Sequence, residues 1–403
     1  MSKRILITGL GIISSLGNDL AENLSALSQG KSGIGKIQYI DTLLRDIIPV
    51  AEVRHSLEEL FLIAGIPAKE GYSRNALMGM VAAHEAFQDA RLDQLPRMHT
   101  GLISGTTVGG MDRCELFYND FLTNDHRNAY IDSYDCADST EKIAMFLNIR
   151  DYITTISTAC SSSANAILLG ARMIRQGYLD RVIAGGCESL TKFHLHGFNA
   201  LKILDKEPCK PFDEKRNGIT LGEGSAYLIL ESEEAAAVSD RHVYCELAGW
   251  GNACEAFHQT ASSPDGIGAY LAMKKALDMS KLEPSGIDYI NAHGTGTDNN
   301  DIAEGRAIEK LFNSAIPKVS STKPFTGHTT SAAGSIEAII SILAMSNNVI
   351  WPSLNITEPM KDLSFQVTTQ MLKNVLVNTV MSNSFGFGGN DTSLIFRKYQ
   401  KTE

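Results

Sequence analysis

Short apolar runs alternate with helix-length segments along this chain of 403 residues, and this alternation restricts the folds that are open to it. Residues 4–8 and 101–105 have the apolar character of buried strands, whereas residues 18–29 and 73–90 place apolar side chains at helical spacing. Strands that alternate with helices build layered α/β folds. Residues 111–150 interrupt the alternation with scattered aromatic and acidic residues, so we predict an inserted cap there.

The length of the chain predicts two halves, because 403 residues exceed what one hydrophobic core usually organises. We place the boundary near residue 240, between residues 1–240 and residues 241–403. A shift of 168 positions lays Cys160–Ala164 over His328–Ala332, and a small-residue helix follows in both places. Only a serine and an alanine match, so chance similarity stays open. A duplication would bring both helix N-termini to one central site.

The charge balance and the cysteines exclude several classes of protein. Lys and Arg number 36 and Asp and Glu 46, for a net charge of −10, and an acidic chain is a poor general nucleic-acid binder. Seven cysteines without a Cys-x-x-Cys pair predict a reducing, cytoplasmic location and no zinc site. No apolar run approaches the roughly 18 residues of a membrane helix, so we expect no membrane insertion.

Cys160 is the first candidate catalytic residue, because it lies between a predicted buried strand and a predicted helix. The strand is residues 152–156, and the helix begins near Ala164. Free backbone N–H groups at a helix N-terminus favour a thiolate and can hold a developing oxyanion. A small buried cysteine with no chemical role is the competing interpretation.

Three further stretches supply candidate chemistry. In residues 289–297 a short strand leads His293 into a turn of glycines and threonines, which permits close approach of a ligand. In residues 319–328 Pro324 makes the backbone at Lys323 extended, and His328 follows a glycine. Near histidines, the charge of this lysine would favour their neutral forms. In residues 381–389 glycines alternate with two phenylalanines, so backbone N–H groups can face a ligand, although a plain hairpin shows the same pattern.

Together these stretches resemble the β-ketoacyl–acyl carrier protein synthases, condensing enzymes of the thiolase-like superfamily. The resemblance covers nearly the whole chain, and its four main motifs follow one another in the order typical of the family. They are Thr158–Ser162, Asn291–Thr297, Ser321–His328 and Asn383–Gly389.

The resemblance implies an α/β fold of the thiolase-like type, with five layers, α-β-α-β-α, made of two similar halves. It also implies that the chain condenses a Cys160-bound acyl group with malonyl–acyl carrier protein, in fatty-acid or in related polyketide or polyene synthesis. His293 and His328 would stabilise the enolate that forms as carbon dioxide leaves. The backbone N–H groups of Cys160 and Phe387 would form the oxyanion hole, and Phe387 would also gate entry.

Other roles follow from the same resemblance. Lys323 and Glu304 would form a supporting ion pair, and the nearby Asp301 would be structural. An acyl carrier protein is the expected partner, a homodimer the expected assembly, and no metal or organic cofactor is needed. The predicted substrate-binding residues are Thr295, Thr297, Val108, Phe385 and Gly388, and the predicted docking residue for the carrier is Lys202.

The sequence departs from the family pattern at two places and leaves other functions open. Asn390-Asp391 stands where the family commonly has Thr-Asn, so the effect on gating is not predicted. Three serines and Asn165 follow Cys160 in place of the commoner residues, so acyl chain length, saturation and pathway are not predicted. A non-catalytic partner subunit of a heterodimer is the main alternative. A degradative thiolase would need a second, C-terminal cysteine, and no cysteine lies beyond Cys254.

Overall fold

The computed structural model describes residues 3–401, which form a layered arrangement of strands and helices. The strands are β1 Ile5–Ser14, β2 Gly35–Lys36, β3 Pro49–Val50, β4 Thr100–Gly105, β5 Tyr152–Ile156, β6 Arg181–Glu188, β7 Gly224–Ser232, β8 Cys245–Cys254, β9 Tyr289–Asn291, β10 Lys318–Ser320, β11 Val349–Ile350, β12 Leu372–Lys373, β13 Thr379–Gly386 and β14 Asn390–Arg397. The helices are α1 Leu20–Ser28, α2 Leu57–Ile63, α3 Arg74–Asp89, α4 Met111–Phe117, α5 Cys136–Phe146, α6 Ser162–Arg175, α7 Lys192–Ala200, α8 Glu233–Ala236, α9 Ile267–Ser280, α10 Asp298–Phe312, α11 Lys323–Thr326 and α12 Ala333–Asn347.

The two halves of the chain repeat one strand order. Ten strands lie in the order β10-β9-β13-β14-β8-β1-β7-β6-β4-β5, and the halves meet where β1 pairs with β8. In each half the first strand pairs antiparallel with the fifth, the fifth antiparallel with the fourth, and the fourth, second and third run parallel. The predicted two similar halves are therefore confirmed by the topology. The boundary near residue 240 falls in the connection between α8 and β8 and stays a prediction.

Alternate side chains on the strands separate the core into layers, because neighbouring strand residues point to opposite faces. On β7, Leu228 and Leu230 pack with α6 and α12, whereas Tyr227 and Ile229 pack with α3. The outer face of the other half packs against α9 and α10. The layers are thus α3, sheet, α6 with α12, sheet, and α9 with α10. Helix α12 is buried on every side from Ala333 to Met345, as a central helix must be.

Glycines on the first strand of each half let a helix approach closely. A Cβ atom on Gly11 would lie 2.1 Å from the carbonyl oxygen of Ala82 in α3. A Cβ atom on Gly251 of β8 would lie 2.1 Å from the carbonyl oxygen of Ala272 in α9. No larger residue fits either position without moving the helix. The two halves therefore share this close packing of a helix on a glycine as well as the strand order.

Two segments that connect strands, residues 205–213 and residues 111–150, bear on the expectations from the sequence. The polar composition of residues 205–213 predicts a surface loop, but the stretch is exposed only at residues 206–208. Its Asp213 is fully buried and accepts hydrogen bonds from the backbone N–H groups of Thr357 and Glu358. Residues 111–150 form α4, three short 3-10 turns and α5 between β4 and β5. Strand β5 ends the sheet and stays partly exposed. Within residues 3–401 no helix has both the length and the apolar character needed to cross a membrane.

Candidate active site

Cys160 lies in a tight turn between β5 and α6, two residues before the helix begins. The side chain of Ser162 closes this turn by accepting a hydrogen bond of 2.9 Å from the backbone N–H of Thr158. Ala159 has a φ of +51°, a left-handed conformation that only a constrained turn imposes on alanine. The turn places the buried sulfur of Cys160 at the seam between the two halves.

Two histidines from the other half converge on this sulfur. Nε2 of His328 lies 3.1 Å from Sγ of Cys160. The ring of His293 lies edge-on to that of His328, with 5.2 Å between the ring centroids. His293 follows β9, and His328 lies between α11 and the turn that leads into α12. The structure therefore brings together three residues that the sequence analysis selected independently.

Lys323 lies behind the histidines, but its ion-pair partner is Glu337 and not Glu304. The Nζ atom contacts the carboxylate of Glu337, the carbonyl oxygen of His293 at 2.5 Å and Nδ1 of His293 at 3.2 Å. Glu304 accepts hydrogen bonds from the backbone N–H groups of His293 and Gly294 instead. The predicted Lys323–Glu304 pair is wrong, because the Glu304 carboxylate is already committed to the His293 turn.

Glu337 was missed because it belongs to no motif near the histidines. It lies in the middle of α12, in a helix whose other side chains are apolar or small and uncharged. A single charged residue in such a helix was the available signal, since a buried charge requires a partner. Burial raises the pKa of Glu337 to about 7, although the positive charge of Lys323 acts to lower this pKa.

Both histidines are neutral in this environment. Burial, followed by the positive charge of Lys323, lowers the pKa of His293 well below its ordinary value. The same two causes, in the same order, lower the pKa of His328. Since a protonated lysine only donates, Nδ1 of His293 accepts, and Nε2 carries the ring proton. A neutral ring with its proton on Nε2 can donate a hydrogen bond to developing negative charge.

The resting Cys160 is a thiol, contrary to the thiolate favoured by the helix-end argument. Burial raises the pKa of the Cys160 thiol to about 11. Lys323 and the backbone N–H groups of Phe387 and of Cys160 itself oppose this increase in the pKa. Both amides therefore lie near the sulfur, and the predicted oxyanion-hole role of Cys160 and Phe387 stays a prediction.

The Phe387 turn closes the pocket above Cys160. Gly388 has a φ of +81°, and its backbone N–H donates a hydrogen bond of 2.8 Å to the carbonyl oxygen of Gln259. The ring of Phe387 stacks on that of Phe198 from α7, with 5.8 Å between the ring centroids and 20° between the planes. Phe198 was not predicted as a site residue, and no local motif marks it.

The pocket has a volume of about 540 Å³, including its solvent-open part, and several predicted substrate-binding residues line it. They are Thr295, Thr297, Phe385 and Gly388. The hydroxyl groups of the two threonines lie 2.9 Å apart. The backbone N–H groups of Thr295 and Gly296 donate to the buried carboxylate of Asp301, whose predicted structural role fits this position.

Two predicted residues lie away from this pocket. Val108 is buried, and its backbone N–H donates to the carboxylate of Glu188, 3.2 Å away. Lys202 is exposed just after α7, in a left-handed backbone conformation with φ +58°. The acyl-pocket role of Val108 and the docking role of Lys202 stay predictions.

Cys160, His293 and His328 are also a set that can hold a metal ion, because their ligand atoms lie within 4.8 Å of one another. Thiolate and imidazole suit zinc. The ammonium group of Lys323, 3.2 Å from Nδ1 of His293, opposes a second cation beside it. The expectation of chemistry without a metal therefore stays a prediction that the charge distribution favours.

Comparison with known protein families decides the identity of this site. Residues 2–236 match the family model of the β-ketoacyl synthase N-terminal domain, and residues 244–357 match that of the C-terminal domain. The chain belongs to the β-ketoacyl synthase family. It is thus an acyltransferase of the condensing type, which joins an acyl group to malonyl–acyl carrier protein.

The relatives of this synthase cover its whole length. It is 32% identical to 3-oxoacyl-[acyl-carrier-protein] synthase 2 of Staphylococcus aureus strain COL, over 99% of each chain. It is 34% identical to the Synechocystis protein of the same name, again over 99% of each chain.

Solved structures give the same result. The ishigamide ketosynthase/chain length factor superposes with a TM-score of 0.93 and 30% identity, over 99% of this chain and 100% of that one. The ketosynthase ApeO, in complex with its chain length factor ApeC from Xenorhabdus doucetiae, superposes with a TM-score of 0.84 and 29% identity, over 98% of each chain. These neighbours confirm the predicted thiolase-like fold.

Proposed function

We propose that Cys160 is the nucleophile of a decarboxylative condensation and that His293 and His328 drive the loss of carbon dioxide. The observation that carries the proposal is the approach of a buried thiol to a neutral imidazole, 3.1 Å between Sγ and Nε2, beside two backbone amides. A neutral imidazole can take the thiol proton as the sulfur attacks an acyl thioester.

In the first half-reaction Sγ forms a bond to the acyl carbon of the carrier thioester. The tetrahedral oxyanion lies between the backbone N–H groups of Cys160 and Phe387. The bond from the acyl carbon to the carrier sulfur then breaks. The proton that left Cys160 returns from His328 to the carrier thiol, which departs neutral.

In the second half-reaction malonyl–acyl carrier protein loses carbon dioxide. The electron pair of the broken bond moves to the thioester oxygen, and the Nε2–H of His293 stabilises this enolate. His328 donates to it as well, in the tautomer that carries the ring proton on Nε2 instead of Nδ1. The enolate carbon attacks the acyl group on Cys160, and the thiolate leaves and takes up one proton. Thr295 and Thr297 line the entry, where they can bind the pantetheine arm, and Lys202 offers a positive charge to the carrier.

Intact-mass measurement after incubation with an acyl carrier tests the nucleophile. The parent protein should gain the mass of one acyl group, and Cys160→Ala should gain none. An adduct on Cys160→Ala would contradict the proposal. A matched control is Cys187→Ala, since Cys187 is also a fully buried thiol but lies on β6 and contacts Tyr227. Carriers of graded chain length and unsaturation, used in the same assay, would identify the acyl substrate.

We further propose that the protein is a dimer joined through the edge strand β5. Ile153 on this strand is 40% exposed, and an open apolar strand edge is a template for pairing with a second chain. The second chain would be a copy of this one, as the sequence analysis predicts, or a chain length factor like the partners of the ishigamide and ApeO ketosynthases.

Light-scattering mass of the purified chain distinguishes these assemblies. A homodimer should have twice the chain mass and should condense without any added protein. A monomer that is active only with a second chain would favour the heterodimer, and a chain that never forms the Cys160 adduct would favour a non-catalytic partner. The free state of all seven cysteines fits the proposed cytoplasmic location.

A further inference from the structure

A cluster of amide side chains connects the nucleophile turn to the Phe387 turn. The asparagine cluster consists of Asn165 on α6, Asn252 on β8, and Asn390 and Thr392 on β14. Asn165 and Asn390 are two of the positions at which the sequence departs from the family pattern. Nδ2 of Asn165 donates a hydrogen bond of 2.8 Å to Oδ1 of Asn390.

Asn390 is the centre of the cluster. Its Oδ1 atom accepts hydrogen bonds from Asn165 Nδ2 at 2.8 Å and Asn252 Nδ2 at 2.9 Å. It also lies 3.0 Å from Oγ of Ser161, whose one proton it shares with the carbonyl oxygen of Thr158 at 2.8 Å. Ser161 directly follows Cys160, and Asn390 is three residues after Phe387. One oxygen atom therefore links the backbones that carry both oxyanion-hole amides.

The remaining bonds make the cluster rigid. Oδ1 of Asn165 accepts from the hydroxyl of Thr392 at 2.7 Å, and Nδ2 of Asn252 gives its second hydrogen to that same hydroxyl at 2.9 Å. Nδ2 of Asn165 also donates to the hydroxyl of Thr158, 2.9 Å away, just before the nucleophile. The turns lie in close contact as well, because a Cβ atom on Gly386 would lie 2.9 Å from the carbonyl oxygen of Thr158. Connected networks of this kind hold one geometry better than separate bonds do.

We propose that Asn390, held by Asn165 and Asn252, is a positioning residue that keeps the backbone N–H groups of Cys160 and Phe387 aimed at one point. This inference rests on the proposed oxyanion hole. The cluster matters for acyl transfer, in which a charged oxygen forms between those amides. It matters less for malonyl decarboxylation, which depends on His293 and His328.

The test compares Asn390→Leu with Asn390→Asp. Leucine has a similar size but no acceptor, whereas aspartate keeps an acceptor for all three donors. Asn390→Leu should lower kcat for acyl transfer to Cys160 by about tenfold to a hundredfold, the range expected when an oxyanion donor is misplaced, and should leave KM within about twofold. Asn390→Asp should restore most of the rate.

Decarboxylation of malonyl carrier is the second readout, measured in a Cys160→Ala background with and without Asn390→Leu. The rate should change less than about threefold, because no acyl oxyanion forms in this reaction. Equal losses in both reactions would mean a merely structural role and would overturn the proposal. An unchanged acyl-transfer rate in Asn390→Leu would overturn it too, as would an Asn390→Asp variant as slow as Asn390→Leu.

Thr392→Val is the variant to use if Asn390→Leu does not fold. It removes one hydroxyl that donates to Asn165 and accepts from Asn252, and it keeps the shape of the side chain. Acyl transfer should fall about threefold to tenfold, since the cluster loosens without losing its centre. No change would contradict the proposal. Failure of the proposed function is separable, because it would appear as acylation of Cys160→Ala.

Discussion

Sγ of Cys160 lies 3.1 Å from Nε2 of His328, although the two residues are 168 positions apart in the chain. They occupy equivalent places in the two halves. Cys160 lies between β5 and α6, and His328 between β10 and α12, each after the third strand of its half and before the central helix. The repeated topology therefore brings two different reactive groups together at the seam.

The reactivity of Cys160 should increase steeply with pH. Since burial raises the pKa of this thiol to about 11, its thiolate fraction should increase about tenfold per pH unit between pH 7 and 10. Alkylation by iodoacetamide, quantified at each cysteine by peptide mass, measures this fraction. Lys323→Met should slow alkylation of Cys160, because it removes a charge that lowers the thiol pKa. Alkylation of the exposed Cys254 should not change, and an unchanged Cys160 rate would contradict the prediction.

A double-mutant cycle should identify Glu337 as the partner of Lys323. Glu337→Gln leaves a buried ammonium group without a counter-charge, which should lower the free energy of unfolding by about 3 kcal/mol. Adding Lys323→Met should recover part of that loss, with a coupling above about 1 kcal/mol. The control is the double mutant of Lys323→Met with Glu304→Gln. Its two effects on the free energy of unfolding should be closer to additive. Stronger coupling to Glu304 than to Glu337 in urea unfolding would contradict the assigned pair.

Asp391→Asn should stabilise the protein at alkaline pH. Burial, with the nearby charges of Glu255 and Glu304, raises the pKa of Asp391 from 3.8 to about 8. The folded state keeps this proton up to about pH 8, whereas the unfolded chain releases it near pH 3.8. Stability from this group is therefore fully present below pH 3.8 and is lost as the pH increases to about 8.

An asparagine cannot ionise, so the benefit of Asp391→Asn should grow over that interval. At pH 8 the free energy of unfolding should exceed that of the parent by about 1 kcal/mol or more, and at pH 4 the two should be similar. Asp46→Asn is the control, because the Asp46 side chain is 79% exposed. An equal benefit at pH 4 and pH 8 would exclude ionisation of Asp391 as the cause.

Phe198→Leu should shorten the lifetime of acyl-Cys160. Without the stacked ring, 5.8 Å away between centroids, the Phe387 turn should open more often and admit water to the thioester. The half-life of the adduct, followed by intact mass, should fall several-fold. Phe193→Leu changes a 60% exposed phenylalanine on the same helix and should leave the half-life unchanged. Equal half-lives in all three proteins would show that the stack does not protect the adduct.

Local sequence patterns predicted the elements that carry the site, and the motif resemblance predicted which of them meet. The residues at 152–156 did form a strand, and Cys160, His293 and His328 did converge. The site residues that the sequence patterns did not predict are partners that lie outside the four motifs. Glu337 pairs with Lys323 from inside α12, and no local pattern specifies that contact.

Two of the wrong expectations, on the ionisation of Cys160 and on residues 205–213, share a physical cause, which is burial. The helix end favours a Cys160 thiolate by only about 1 kcal/mol, and desolvation of a fully buried thiol outweighs that effect. The stretch 205–213 was predicted to be exposed because it is polar. Its Asp213 is inside the protein because the backbone N–H groups of residues 357 and 358 satisfy its carboxylate. Burial depends on the whole fold, so a short stretch of sequence does not reveal it.

The location of the site at the seam has a consequence for how the protein can be divided. Cys160 belongs to the first half, whereas both histidines, Lys323 and Phe387 belong to the second. A gene cut within the connection at 237–244 would encode two fragments that each lack part of the chemistry. Either fragment would be inert alone, and activity would report directly on their reassociation. The reaction thus depends on the contact between the halves, because any shift of one half against the other separates the nucleophile from its histidines.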